Sequence, residues 1–168
     1  MRKGPVYGII SHILIVLALY LLQTAVFSRL RINTAAPLLL PLAAVGFGLF
    51  EGGFKGGVWG LICGVLCDIS LGDSGLLFTV FLTFAGFFTG FLSEFFLARG
   101  FPSYLTMSLL TLVLSVLLQL VGPHFYRGAP LAVLWKPALI QTIYSAIFII
   151  PVYYPIHRAT RASRRVRI

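Results

Sequence analysis

Gly48-Leu-Phe-Glu51-Gly52-Gly53-Phe-Lys55-Gly56-Gly57-Val-Trp-Gly60-Leu-Ile-Cys63-Gly64-Val-Leu-Cys67-Asp68-Ile-Ser-Leu-Gly72 is the stretch on which the reading of this chain turns. Glycines recur at 48, 52, 56, 60, 64 and 72, and the one gap in the four-residue spacing holds Asp68. Four residues advance about 400° around an α-helix, so these positions form a slowly drifting stripe on one face. In water each helical glycine costs about 1 kcal/mol relative to alanine. In lipid, small residues let two helix backbones approach closely.

Composition selects lipid. Hydrophobic residues make up 59% of the 168 residues and charged residues only 10%. Mean hydropathy is +0.99. A soluble domain carries about 25% charged residues, so this chain has too few charges to cover a wet surface. The length holds about six helices of roughly 20 residues with short loops. The expectation is an all-α membrane protein, a single integral membrane domain over 1–168 with a basic cytoplasmic tail over 157–168. The net charge of +9 sits at the two ends. That distribution fits cytoplasmic placement and anionic lipid headgroups rather than nucleic acid.

An apolar first helix from Val6 to Phe27 contains His12 and Gln23. It is too long for a signal-peptide core. His12 reads as a polar helix-packing residue. Pro37 to Phe50 is a short second helix, and Glu51 to Lys55 is the turn after it. The third helix runs from about Gly56 to Leu71, and a loop with Asp68 and Asp73 follows. Leu76 to Leu97 is the fourth helix, with Gly86 and Gly90 in G-x-x-x-G spacing. Tyr104 to Val121 is the fifth, ended by Gly122-Pro123. Leu131 to Tyr154 is the sixth, with Trp135 and Tyr153-Tyr154 at interfacial positions. With both termini inside, Lys and Arg divide nine inner to four outer, which favours N-in, C-in. If the short second helix does not span, five crossings leave the termini on opposite sides.

No H-E-x-x-H, G-x-S-x-G or Walker A pattern is present, and the histidines His12, His124 and His157 are far apart in sequence. Neither an enzyme nor a cofactor or metal site is expected. Cys63 and Cys67 lie one helical turn apart and read as small buried thiols. Asp68 sits on the glycine stripe. It is either a functional membrane acid or a turn residue accepting backbone bonds from Ser70 or Gly72. Glu51 can pair with Lys55 at i,i+4 or place an acid at the N-terminus of the third helix. Gly48, Gly52, Gly56, Gly60, Gly64, Gly86 and Gly90 either pack helices within the chain, chiefly the second against the third, or offer a docking face to another membrane protein. On the docking reading, Gly60→Leu or Gly64→Leu abolishes partner binding.

Glu51-Gly52, Gly56, Gly60, Gly64, Asp68, Gly75, and the later Gly86 and Gly90 resemble the MreD family of rod shape-determining membrane proteins. Leu22-Gln23 before Phe27, and Pro37-Leu-Leu-Leu, are also similar to that family. The specific part covers about residues 37 to 90. The resemblance implies a non-enzymatic scaffold in the bacterial cytoplasmic membrane. It implies an MreC-like partner, with RodA and a penicillin-binding transpeptidase beyond it. It also implies a fold like the S-components of energy-coupling-factor transporters. A vitamin- or metal-binding S-component is therefore the rival reading. Arg158, Arg161, Arg164, Arg165 and Arg167 read as an anchor for anionic lipid or a cytoplasmic partner. Self-association stays open.

Overall fold

The computed structural model describes residues 5–26, 37–71, 76–96, 100–127 and 131–165. They form helices α1 (Pro5–Leu21, extended by a π-helical turn Leu22–Val26), α2 (Leu40–Glu51), α3 (Gly53–Leu71), α4 (Leu77–Phe95), α5 (Phe101–Arg127), α6 (Leu131–Ile147) and α7 (Ile149–Arg165). No strand occurs among the described residues. Among the described residues, four stretches are long and apolar enough to cross a membrane: Gly8–Ala25, Gly53–Ser70, Leu77–Phe95 and Phe101–Gln119. The α6–α7 pair, bent by 47°, supplies a fifth when counted as one span.

α2 is the axis of the fold. Leu40 to Phe50 are all buried, and α1, α3, α4, α5 and α7 pack around them. The sequence explains this, because α2 has no polar face; a helix apolar all round belongs in a core. Its 12 residues cover about 18 Å at 1.5 Å per residue, well short of a bilayer's hydrocarbon thickness of about 30 Å. Helical geometry begins at Leu40, three residues later than the sequence pattern places it.

The helix α2 therefore needs partners for its free backbone groups. An unpaired N–H away from water costs several kcal/mol in a membrane interior. Gln23 Oε1 accepts from Leu39 N–H at 2.9 Å and from Leu40 N–H at 3.3 Å. Ser145 Oγ accepts from Leu38 N–H at 2.9 Å. At the other end, His12 Nε2 lies 3.2 Å from Glu51 Oε1. His12 and Gln23 are eleven residues apart on α1, and Leu40 and Glu51 are eleven apart on α2. One helix thus holds both ends of its antiparallel neighbour.

Three boundaries differ from the sequence reading. The turn after α2 is Gly52 alone, with φ +97°, and α3 starts at once at Gly53. A glycine in that region redirects the chain in a single residue. α5 runs through Gly122 and Pro123 to Arg127. The long sixth helix is two, broken at Phe148, whose N–H bonds back to Ser145 at 3.0 Å. Pro151 has no N–H to give to the carbonyl of Ile147, so the helix bends there. The expected tail is helical as far as Arg165: Ile156, Ala159 and Thr160 are buried, while Arg158 and Arg161 are exposed.

Candidate functional site

α3 and α4 lie antiparallel, and the glycine stripe is the reason they can lie so close. A Cβ placed on Gly56 lies 2.5 Å from the Cα of Gly48 and overlaps the carbonyl of Gly86. On Gly48 it meets the same Gly86 carbonyl, and on Gly60 the carbonyl of Leu82. On Gly64 it comes within 2.5 Å of the Cα of Thr79, and on Gly90 within 2.5 Å of the carbonyl carbon of Gly52. These are backbone atoms that cannot step aside. The stripe thus joins three helices, α2, α3 and α4. The expected packing of α2 against α3 is present, and α4 adds to it: α4 covers the glycines of α3, because Gly86 and Gly90 continue the same small surface. A docking role for Gly60 or Gly64 is closed off by that cover, and Gly60→Leu tests the fold instead.

Each end of the α3–α4 pair is tied by an acid. Asp68, at the C-terminal end of α3, accepts from Phe78 N–H through Oδ1 at 3.1 Å. Through Oδ2 it accepts from Thr79 N–H at 2.8 Å and the Thr79 hydroxyl at 2.6 Å. These partners lie in the first turn of α4. A carboxylate there satisfies free helix-start N–H groups and faces the positive end of the helix dipole. Glu94, at the C-terminal end of α4, accepts from Gly53 N–H at 3.2 Å. That carboxylate serves the start of α3, the role open to Glu51 in the sequence. Glu51 is occupied elsewhere: its Oε2 lies 3.7 Å from Lys55 Nζ and its Oε1 against His12.

The polar floor around Glu51 was not legible from motifs. His12 packs edge-on to Phe47 at 4.8 Å and beside Trp59 at 5.4 Å. His157 stacks on Tyr153 at 5.2 Å and meets Phe50 edge-on at 5.0 Å. Two histidines far apart in sequence thus converge on the last turns of α2. Helical spacing carried a usable signal: Gly8, His12, Val16, Leu19 and Gln23 follow one face of α1 and all are buried. Cys63 and Cys67 are buried free thiols. Among the described residues, no three His, Cys, Asp or Glu side chains gather to hold a metal ion.

The outer side of the α3–α4 pair is apolar. A shallow groove of about 410 Å³ runs along it, lined by Phe54, Gly57, Val58, Leu61, Thr83, Phe84 and Phe87. Asp73, Gly75, Arg29, Arg31, Arg99 and Arg167 lie outside the described residues, as do the side chains of Lys136, Arg164 and Arg165. In comparisons with known proteins, no family model, curated protein or solved structure matches the chain.

Proposed function

We propose that this chain is a non-enzymatic, MreD-like scaffold of the bacterial cytoplasmic membrane, docking an MreC-like protein in the cell-elongation machinery. RodA and the penicillin-binding transpeptidase are the further partners the resemblance implies. The observation that carries the reading is the α3–α4 pair. It is fixed by backbone contact along its length and by Asp68 and Glu94 at its ends. Its outer groove is left apolar and open. A rigid helix pair with a small residue, Gly57, in an exposed groove suits a partner helix. The residues that build the pair are those that carry the resemblance: Gly56, Gly60, Gly64, Asp68, Gly86 and Gly90.

Helix directions support six passes with both termini inside. α1 and α2 are antiparallel, as are α3 and α4. α6–α7 runs in the same sense as α2: Ser145 meets Leu38, Ile156 meets Gly46 and His157 meets Phe50. The start of α1 and the end of α7 therefore share the side of Glu51 and Lys55. Exposed Arg158 and Arg161 stand on that side, where anionic lipid headgroups attract basic residues.

Co-purification with MreC from native membranes tests the scaffold reading, and failure to recover MreC overturns it. Gly57→Leu tests the groove, since a Cβ at Gly57 meets Phe87 only at ordinary contact distance, 3.5 Å. Loss of MreC with the protein still inserted is the expected result. Full retention of MreC by Gly57→Leu moves docking off this groove.

A further inference from the structure

We propose that the exposed side of α6–α7 binds one anionic phospholipid in the leaflet on the Glu51 side. Its acyl chain lies along Ile143, Ile147 and Ile150, its glycerol region at Tyr154 and its phosphate on Arg158 and Arg161. The inference rests on the helix directions given above and not on the MreC-like partner. All six side chains are exposed. In α7, Ile150, Tyr154, Arg158 and Arg161 fall within about 40° of one line along the helix. Val152, Ile156 and Ala159 take the opposite side and are buried. Across the break at Phe148, Ile143 and Ile147 continue the exposed run, one helical turn apart. Side chains along the run change from aliphatic to aromatic to cationic, the order of a phospholipid's own chain, glycerol and phosphate.

The lengths agree. Ile143 to Tyr154 covers about 16 Å of helix, against about 15 Å for the hydrocarbon of one leaflet. Arg158 and Arg161 lie about 6–10 Å beyond Tyr154, and the polar region on each side of a bilayer is about 5–8 Å deep. The arginines are fixed at that depth. His157 packs on Phe50 at 5.0 Å, and the helix continues to Arg165. Tyr154 has the apolar ring and polar tip that suit the membrane interface. Among the described residues, no carboxylate pairs with Arg158 or Arg161, and the acids of that side are engaged: Glu51 with His12 and Lys55, Glu94 with Gly53 N–H. A guanidinium matches a phosphate with two parallel N–H bonds. An acidic soluble protein would reach the arginines but not the isoleucines in the hydrocarbon. A lipid uses the whole strip.

Native mass spectrometry of the purified full chain in nonionic detergent, titrated with phosphatidylglycerol or phosphatidylcholine, tests the strip. Phosphatidylglycerol is expected to bind at the lower concentration. Each arginine near an anionic headgroup is worth about fivefold, so Arg158→Gln/Arg161→Gln should weaken phosphatidylglycerol about 25-fold and leave phosphatidylcholine within about twofold. Lys55→Gln removes a cation from the same side but on α3, and should leave phosphatidylglycerol binding unchanged. Placement is read in the Trp59→Phe/Trp135→Phe/Tyr154→Trp protein in phosphatidylcholine bilayers. Phosphatidylglycerol brominated on its acyl chains should quench the emission more than equally brominated phosphatidylcholine. Equal binding of the two lipids overturns the proposal, as does equal quenching. A loss in Lys55→Gln that matches Arg161→Gln shows diffuse attraction and overturns the site. Phosphatidylglycerol binding that survives the double arginine substitution overturns it too, and an acidic protein lost from native membranes in that variant would then take the arginines. If the tryptophan-shifted protein fails to insert, the mass-spectrometric titration decides.

Discussion

Gly56 of α3 and Gly86 of α4 meet backbone to backbone, each placing its carbonyl where the other's Cβ would stand. The contact is mutual, so a methyl group on either side separates the helices. Gly48 shares the same point from α2. Gly86→Ala is therefore expected to cost about 2–4 kcal/mol, at or beyond the upper range for overpacking. Alanine is otherwise the better helix former, so a gain in stability would refute the close approach. Unfolding of the purified protein in mixed detergent and SDS, followed by circular dichroism, measures the sign.

Asp68→Ala removes the acceptor for two backbone N–H groups and one hydroxyl at the start of α4. An orphaned buried donor costs about 1–3 kcal/mol. Asp68→Asn keeps one carbonyl oxygen and should lose clearly less. Equal losses for the two variants would show that charge rather than hydrogen bonding matters at this position.

Gln23 is the corresponding holder for α2. Gln23→Leu has nearly the same volume but strands the N–H groups of Leu39 and Leu40. The expected loss is about 2–4 kcal/mol for two buried donors. Hydrogen exchange at Leu39 and Leu40 should rise while exchange in α3 and α4 holds. Unchanged protection at those two amides would remove Gln23 from the role.

Gly52→Ala meets two obstacles at one residue. The backbone lies at φ +97°, ψ 174°, a region essentially reserved for glycine and worth of order 1–3 kcal/mol to any other residue. The new Cβ would also strike the carboxylate of Glu94. Gly52→Ala/Glu94→Ala relieves the second obstacle only. Its stability should stay below that of Glu94→Ala alone, in the same SDS titration.

Much of this architecture was legible in residue order. A stripe of small residues four apart announces close helices. What spacing cannot state is which helix lies opposite. The sequence reading set the stripe between α2 and α3, neighbours along the chain. The structure adds α4, since the surface formed by Gly86 and Gly90 matches that of Gly48, Gly56 and Gly60. Asp68 was visible as an acid on the stripe, but its place there did not name the start of α4 as its partner. The polar ends of α2 were hidden for a different reason. Gln23, Ser145 and His12 act on backbone or side-chain atoms far away in sequence, and a lone polar residue in an apolar helix does not name its partner. Phe148 was hidden because the kink is set by a missing N–H at Pro151 in an otherwise uninterrupted apolar run.

The burial of α2 also governs how the protein can be made. A segment of 12 residues with no side left for lipid cannot settle in a bilayer as an independent insertion unit. Its lead-in waits for Ser145, and its glycine at 46 is walled by Tyr104 and Ile156. The walls are synthesised about 60 and 110 residues after the helix they enclose. Biogenesis therefore has a delayed step: α3 and α4 can pair early, while α2 is enclosed only once α7 has left the ribosome.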